Sequence, residues 1–205
     1  VTVKANTGSL VRSGYTFSGW NTASDGTGTT YLSGAIFTVG SSNVTLYAKW
    51  SANTYTITYN TNGGTGNAQR SSANVTSDSY TTGGSSVTLP SVGTLQRSGY
   101  TFAGWNTSAN GTGTDYSAAA TYTTVSNVTF YAKWTAVTYS ITYNGNTSNG
   151  GSAPATGSYT TGQASPYSVL NNLYTKTSNV FGGWNTAADG SGTSYSPGST
   201  ITTLA

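Results

Sequence analysis

The sequence predicts a mostly β chain made of small tandem modules with little helix, arranged as an elongated rod. Three observations predict this fold class. Sequence blocks recur about every 80 residues, which is the signature of a repeat architecture. Large apolar and small polar residues alternate along these blocks, as they do on half-buried strands. Glycine and asparagine, which accept the positive φ of tight turns, lie between the blocks.

The repeat consists of three blocks that recur in the same order. The first contains a Gly-Trp-Asn-Thr sequence, the second a Tyr-Ala-Lys-Trp sequence, and the third alternates tyrosine or isoleucine with threonine or serine. Their positions are 14–22, 99–107 and, more loosely, 180–186 for the first block, 44–50 and 128–134 for the second, and 55–60 and 139–144 for the third. Chance similarity does not explain three blocks that recur in the same order, so the sequence contains a true internal repeat.

The blocks divide the chain into three repeats. Repeat 1 covers residues 1–52 and lacks an opening strand, repeat 2 covers 53–136 and is complete, and repeat 3 covers 137–205 and lacks a closing strand. Val1 to Val3 align with residues 87–89 when a one-residue gap is allowed. The linkers, 51–54 and 135–138, are short, and short links limit bending and favour a rod.

Strands are predicted over 55–60, 87–89, 100–105 and 128–134 because apolar and polar residues alternate there. Turns are predicted at 25–28, 62–64 and 109–113, where glycine and asparagine or aspartate are adjacent. No segment has a 3.6-residue period over three turns, and 117–120 is the one segment considered for a short helix.

The order of the blocks resembles the Listeria–Bacteroides repeat, also called the internalin B-repeat. The resemblance rests on Gly-Tyr-Thr-Phe-x-Gly-Trp-Asn-Thr, Gly-Thr-Gly-Thr-x-Tyr and Val-Thr-Leu-Tyr-Ala-Lys-Trp, and it covers nearly the whole chain. It implies small β-grasp-like modules strung in tandem in bacterial surface proteins, as stalks or adhesive arms. The family implies no catalytic residues. This chain departs from it by its low charge and its many threonine, serine, asparagine and glycine residues.

Composition excludes several functional classes. Charged residues are 5% of the 205 residues, against about 25% in an ordinary soluble domain. The net charge of +3 rests on seven scattered lysine and arginine residues, so no basic patch predicts nucleic-acid binding. No apolar run is long enough for a transmembrane helix, and there is no cysteine for a disulfide. The absence of a signal peptide fits a mature or excised fragment. The aromatic content of 13% favours small folded cores over disorder.

Catalytic and metal-binding residues are not predicted. The chain has neither histidine nor glutamate, the usual acid–base groups, and its acids are Asp25, Asp78, Asp115 and Asp189. Asp25 and Asp189 share a repeat position with Asn110, which indicates a turn former. One aspartate per loop is also too few for calcium, which binds six to eight oxygens. We therefore expect no catalytic, cofactor-binding or metal-binding residue, no cofactor, and no enzymatic activity.

Lysine, tryptophan and asparagine residues each offer a further candidate site. Lys49 and Lys133 could form isopeptide bonds with asparagine, but no regular acidic helper accompanies them, and charge on an edge strand is the favoured interpretation. The tryptophans could form a sugar platform, but their fixed repeat positions favour core packing; they are Trp20, Trp50, Trp105, Trp134 and Trp184. Asn-x-Ser/Thr sequences occur at Asn43, Asn74, Asn106, Asn110, Asn127 and Asn146.

The predicted function is that of a non-catalytic structural repeat protein, extracellular or on a cell surface, forming a stalk, filament or sheath. The alternative is an adhesin arm that binds a host or matrix glycan or protein. Copies of the same chain are expected partners, because an incomplete sheet at either end exposes a strand edge that a neighbour could pair with. An arbitrary fragment boundary would also explain those incomplete sheets.

Overall fold

The computed structural model describes residues 1–202, and within them it contains strands and no helix, which confirms the mostly β prediction. In repeat 1 the strands are β1 (Tyr15–Asn21), β2 (Thr30–Tyr31) and β3 (Tyr47–Ala52). In repeat 2 they are β4 (Thr54–Asn60), β5 (Gln69–Arg70), β6 (Ala73–Asn74), β7 (Ser77–Thr81), β8 (Val87–Thr88), β9 (Tyr100–Asn106), β10 (Asp115–Tyr116), β11 (Thr121–Tyr122) and β12 (Val128–Ala136). In repeat 3 they are β13 (Thr138–Ile141), β14 (Gly150–Gly151), β15 (Gly157–Thr160), β16 (Tyr167–Ser168), β17 (Tyr174–Thr175), β18 (Trp184–Asn185), β19 (Ser194–Tyr195) and β20 (Thr200–Ile201).

The chain divides into two compact units that do not follow the repeat boundaries. The first unit comprises Val1–Leu95 and Gly104–Lys133, and the second comprises Gln96–Ala103 and the chain from Trp134 onward. The division into three repeats is therefore a division of the sequence, and its boundaries at 52/53 and 136/137 stay a prediction. The rod arrangement likewise stays a prediction.

The first unit contains a three-stranded sheet in the order β2-β1-β3 and most of a five-stranded sheet in the order β10-β9-β12-β4-β7. β4 is antiparallel to β7 but parallel to β12, with Val128 opposite Ile57. Side chains alternate between the two faces of β4 and β12, as predicted, and Ile57 and Phe130 lie on the core face, where both are fully buried. The ring of Phe130 contacts three tyrosine rings at centroid distances of 4.9–6.2 Å, those of Tyr59, Tyr116 and Tyr122.

The second unit has smaller sheets among its described residues. β13 pairs with β15, β14 with β17, β16 with β20, and β18 with β19, all antiparallel. Its core consists of the buried residues Tyr143, Val169 and Ile201, against which Trp184 and Tyr195 pack with two other side chains. Burial of these aromatic and branched side chains is the main source of stability for a unit with so little charge.

Two strands are shorter than their counterparts in repeat 2. The alternation of the second block predicts a strand over 44–50, as it does over 128–134, but β3 begins only at Tyr47. In repeat 2 the corresponding first half, from Val128 to Phe130, pairs with β4, whereas β3 is the edge of its described sheet. β18 covers only Trp184–Asn185, against seven residues in β9. A strand half without a partner lacks the ladder hydrogen bonds that define it.

Other local expectations have clear outcomes. The alignment of Val1 to Val3 with residues 87–89 is confirmed, because Val3 N donates to Ala35 O and Leu89 N donates to Ala120 O, both at 2.8 Å. Segment 117–120 is a turn and not a helix, since Ala119 has a φ of 63°. The expected linkers are mostly strand: Asn53 alone separates β3 from β4, and Val137 alone separates β12 from β13.

Candidate functional sites

One asparagine, buried in repeats 1 and 2 and half-buried in repeat 3, organises the loop after each Gly-Trp strand. The Asn106 amide donates to the carbonyl oxygens of Gly111 and Gly113 at 3.3 and 3.1 Å, and its Oδ1 accepts from Ser108 N at 2.8 Å. Asn21 and Asn185 make the same set of bonds in the other repeats. Asn106 is 1% exposed, so its glycosylation sequence is inaccessible in the folded chain. The recurring asparagine is therefore a loop scaffold, a role that the sequence blocks did not reveal.

The loop-tip acids serve the turn. Asp25 Oδ1 accepts hydrogen bonds from Thr27 N at 3.0 Å and Thr27 Oγ1 at 2.7 Å, and these bonds lower the pKa of the Asp25 carboxyl. Asn110 accepts the equivalent pair of bonds from the backbone and side chain of Thr112. Because a neutral amide makes the same contacts, the carboxylate charge is dispensable there. Residues 1–202 bring no group of three or more metal-ligating acids, histidines or cysteines together.

Asp115 lies at the position of Thr30 and Ser194, and all three accept a hydrogen bond from the loop asparagine of their own repeat. Asp115 alone also forms an ion pair, with the Lys133 ammonium. The Lys133 ammonium, and next the Asn106 amide, lower the pKa of the Asp115 carboxyl. Both side chains are exposed at the surface, so the pair adds little stability.

The two lysines differ in their strands. Lys49 lies on β3, the edge of its described sheet as expected, and donates to Thr30 Oγ1 at 2.9 Å. The expectation of an edge strand is wrong for Lys133, because β12 lies between β9 and β4. The parallel partner β4, which the sequence blocks did not predict beside β12, makes this strand internal. Each lysine contacts a hydroxyl or a carboxylate of the same loop position, and neither of these contacts is to an asparagine.

The tryptophans that follow a glycine are anchored by their indole nitrogens. Trp105 Nε1 donates to Pro90 O at 2.9 Å, and the indoles of Trp20 and Trp184 donate to Lys4 O and Leu170 O at the same distance. Trp105 is 1% exposed, which agrees with the core interpretation, whereas the other four tryptophans are half-buried. Each anchored indole ties its strand to the chain of the same repeat.

A charged cluster that the sequence did not reveal lies in repeat 2. Arg70 donates to both carboxylate oxygens of Asp78, at 2.9 and 2.6 Å, and also to the carbonyl oxygen of Thr88. The Tyr59 hydroxyl donates to Asp78 Oδ2 at 2.8 Å. The Arg70 guanidinium lowers the pKa of Asp78, while burial and then the bond to Asp78 raise the pKa of Tyr59. The cluster joins β4, β5, β7 and β8 and so fastens these strands, although Arg70 Nε is buried without a hydrogen-bond partner.

Repeat 3 fills the same space with tyrosines. The Tyr143 and Tyr167 hydroxyls lie 3.1 Å apart, and Tyr143 also accepts a hydrogen bond from Leu170 N at 2.8 Å. Burial, and next the bond to Tyr143, raise the pKa of Tyr167 to about 12. At the position of Asp78 stands Gly157, where a Cβ would lie 2.2 Å from the Tyr167 ring. At this site repeat 2 therefore has an ion pair, whereas repeat 3 has an aromatic ring.

The junction between repeats 1 and 2 is hydrogen-bonded through Asn53. Asn53 N donates to Gly14 O at 2.9 Å, and Thr82 N donates to Asn53 O at 3.0 Å. The one residue between the two strands thus bonds to the repeat before it and to a turn of the repeat after it. The Thr16 hydroxyl adds a third bond, to Asn53 Oδ1 at 2.6 Å.

The junction between repeats 2 and 3 has the same backbone pattern, within the second unit. Val137 N donates to Gly99 O at 2.9 Å, and Thr161 N donates to Val137 O at 3.0 Å. Valine in place of Asn53 shows that the backbone, and not the side chain, carries these bonds. The pattern therefore recurs at both junctions of the chain.

An open groove of about 1220 Å³ lies in repeat 3. Its lining includes Tyr143, Tyr195 and Ile201, which occupy the positions that Tyr59, Tyr116 and Tyr122 hold around Phe130 in repeat 2. β13 and Trp184 also line it. The groove thus corresponds to the space that β12 fills in repeat 2.

Comparison with known proteins agrees with these repeats. The family model described as the Listeria-Bacteroides repeat domain matches residues 2–49, 55–133 and 139–205, which confirms the resemblance seen in the sequence blocks. A protein of Evansella cellulosilytica named as a Gly-rich membrane protein is 37% identical over 157 residues, covering 74% of this chain and 17% of its own length. A second protein of that organism, named as a membrane protein, is 32% identical over 169 residues, covering 78% of this chain and 22% of its own length.

The chain therefore spans about a fifth of the length of the curated relatives it matches. No solved structure matches it. Residues 1–202 form no helix that could span a membrane. Neither relative has the name of an enzyme.

Proposed function

The chain belongs to the Listeria–Bacteroides repeat domain family, and on that premise we propose that it is a non-catalytic structural segment of an extracellular or cell-surface protein. In this role, tandem repeats form part of a stalk, filament or sheath. The membrane-protein names of the two relatives support a location at the cell envelope.

The observation that carries the proposal is the repeated junction. At both junctions one residue joins two strands, and its N–H and C=O bond to the preceding and the following repeat. Such bonds oppose free rotation between neighbouring repeats, so a pulling force passes along strands and not through a loose tether. The low charge supports lateral packing of such chains, because little repulsion opposes it.

Small-angle X-ray scattering of the 205-residue chain tests the rod. A compact globule of this length has a radius of gyration of about 17 Å. Three repeats in a row should give a clearly larger value and a long tail in the distance distribution. A value near that of a globule would contradict the rod and, with it, the stalk role.

A finer proposal concerns partners, and it commits to a second copy of the chain. Segment 44–46, which is outside β3, corresponds to the half of β12 that pairs with β4. We propose that this segment of one copy pairs with β13 of another, with Leu46 entering the groove at the place of Phe130. β-strand addition to an open edge supplies both backbone bonds and a side-chain pocket.

Sedimentation velocity over a range of concentrations tests this self-association. A peptide of residues 44–50 should inhibit it, while the same peptide with Leu46→Asp should not, because a charge would be buried in an aromatic groove. A monomer at all concentrations, with no binding of either peptide, would refute the pairing.

The competing function is an adhesin arm that binds a glycan or a surface protein. The observation in its favour is that Phe181, 39% exposed, packs 4.9 Å from Trp184 at the groove, where aromatic rings could stack on a sugar. Glycan-array binding by the wild type that is lost in a folded Phe181→Ala variant would favour this function. Electron microscopy of the native material separates the two, because regular filaments support the structural role and dispersed monomers support the adhesin.

A further inference from the structure

Both junctions use one four-residue turn of the preceding repeat. Its residues are Arg12, Ser13, Gly14 and Tyr15 at the first junction, and Arg97, Ser98, Gly99 and Tyr100 at the second. In each turn the tyrosine N–H donates to the arginine carbonyl, at 3.0 and 2.9 Å, and the guanidinium lies 3.9 or 4.1 Å from the centre of the tyrosine ring. The arginine thus holds the tyrosine ring in a fixed position.

The glycine of this turn is in van der Waals contact with the next repeat. A Cβ on Gly14 would lie 2.6 Å from Thr82 Oγ1, and a Cβ on Gly99 would lie 2.5 Å from Thr161 Oγ1. Both glycines have a positive φ, 78° and 74°. Glycine is therefore required twice over, by its backbone conformation and by the threonine packed on it.

The tyrosine covers the residue after that threonine. A Cβ on Gly83 would lie 2.9 Å from the Tyr15 hydroxyl, and a Cβ on Gly162 would lie 2.7 Å from the Tyr100 hydroxyl. The receiving element is thus a Thr-Gly turn, Thr82–Gly83 or Thr161–Gly162. The contact surface consists of a Gly-Tyr pair on one repeat and a Thr-Gly pair on the next.

Repeat 3 keeps the turn but loses this surface. Asn179 N donates to Lys176 O at 3.1 Å, and Ser178 has a φ of 62°, so the backbone follows the same path. Yet Ser178 stands in place of the glycine, Asn179 in place of the tyrosine, and Lys176 in place of the arginine. The Lys176 ammonium instead donates to Thr147 Oγ1 at 2.7 Å.

We infer that the Arg-Ser-Gly-Tyr turn is the docking surface for the Thr-Gly turn of a following repeat, and that repeat 3 cannot accept a Thr-Gly turn in this way. The Cβ of Ser178 would occupy the space of the threonine side chain. A repeat that follows repeat 3 would consequently be joined by the strand alone, which makes this point a hinge in an array of docked repeats. The four turn residues thus encode stiff and flexible junctions.

The test transfers the repeat 3 residue to the second junction of the full chain. In Gly99→Ser, amide hydrogen exchange should accelerate by about tenfold or more at Val137 and Thr161, whose N–H groups bond across the junction. Exchange at Asn53 and Thr82, in the unaltered first junction, should not change. If the whole chain unfolded, these two reference amides would also exchange faster.

Gly111→Ser is the matched control. Gly111 has a φ of 77°, close to that of Gly99, but nothing lies within 4 Å of its Cβ position. It therefore reproduces the backbone strain without the contact. The inference is overturned if Gly99→Ser accelerates exchange at Val137 and Thr161 no more than Gly111→Ser does.

Two more variants keep the test decisive if Gly99→Ser folds poorly. Thr161→Ala removes the two atoms nearest the introduced Cβ, so Gly99→Ser with Thr161→Ala should recover much of the lost protection at Val137. Tyr100→Asn adds no backbone strain and should accelerate exchange at Thr161 by several-fold, about the effect of losing one packed ring. Unchanged exchange in Tyr100→Asn, or no recovery in the double variant, would contradict docking through these side chains.

Discussion

The Asn106 side-chain amide donates to the carbonyl oxygen of Gly113 at 3.1 Å, and the Gly113 N–H donates back to Asn106 Oδ1 at the same distance. A Cβ on Gly113 would lie 2.3 Å from Thr107 Oγ1, so the glycine is needed for this closeness. The Trp-Asn-Thr and Gly-Thr-Gly sequences, which look like separate motifs, are thus the two sides of one closed loop.

Replacing Asn106 by alanine should lower the free energy of unfolding by about 3 kcal/mol, because it leaves several buried backbone groups of the loop without partners. Urea denaturation followed by tryptophan fluorescence measures this change. Asn110→Asp is the control, because the other two repeats have aspartate at this position, Asp25 and Asp189. Its free energy of unfolding should change by no more than about 0.5 kcal/mol. Equal effects of the two substitutions would contradict the scaffold role of Asn106.

Replacing Ala119 by glycine should stabilise the chain by about 1 kcal/mol. Ala119 has a φ of 63° where the other repeats have Gly34 and Gly198, and a left-handed conformation is costly for alanine. The control is Ala120→Gly, one residue later, which should destabilise by about 0.5–1 kcal/mol because it only adds freedom to the unfolded chain. Thermal denaturation of both variants is the measurement, and a melting temperature lowered by Ala119→Gly would refute the strain.

Replacing Thr82 by valine should also stabilise the chain, by about 1 kcal/mol. The Thr82 Oγ1 atom is buried without a hydrogen-bond partner, and valine keeps its shape without an unsatisfied hydroxyl. Thr82→Ser, which keeps the hydroxyl and removes the methyl group, should destabilise instead. Denaturation curves in which valine is no better than serine would show that the hydroxyl is satisfied in solution.

The ion pair of Asp78 predicts a loss of stability in acid. Arg70 lowers the folded-state pKa of Asp78 below its unfolded value of about 3.9, so the stabilisation is complete above that value and is lost as the pH falls through the folded pKa. Asp78→Asn should cost about 2 kcal/mol at neutral pH, as expected for lost charge-assisted hydrogen bonds. This difference from the wild type should shrink as the pH falls below about 3.9 towards the lowered folded-state pKa.

Asp25→Asn is the comparison for that series, because Asn110 makes the same turn bonds without a charge. The turn bonds also lower the pKa of Asp25, so the stability of this variant relative to the wild type should change in the same direction in acid, but less, because no ion pair is lost. Denaturation of the Asp78→Asn and Asp25→Asn variants and the wild type at a series of pH values measures both dependences. A stability difference for Asp78→Asn that is constant from neutral to acid pH would mean that the carboxylate is not held by Arg70.

Local order was predictable wherever it depends on neighbours in the chain. Alternating residues placed β4 and β12 at nearly their observed bounds, and glycine with asparagine marked turns such as that at Asn62 and Gly63, which both have positive φ. The repeated blocks also determined the family, because block order survives changes in single residues. The core position of Trp105 followed from its fixed place after a glycine.

Contacts between distant segments were not predictable in this way, because many pairings satisfy the same alternation. Only the tertiary structure placed β4 parallel to β12, which made the strand of Lys133 internal, and only it brought Arg70 to Asp78 and Tyr59. The junctions follow the same rule. The recurrence of Gly14 and Gly99 is visible in the sequence, but its cause is visible only in the fold, where a threonine of the next repeat lies at the place of a side chain. A position where another segment leaves no room for a side chain appears in the sequence only as a glycine. The sequence does not show which segment fills that space.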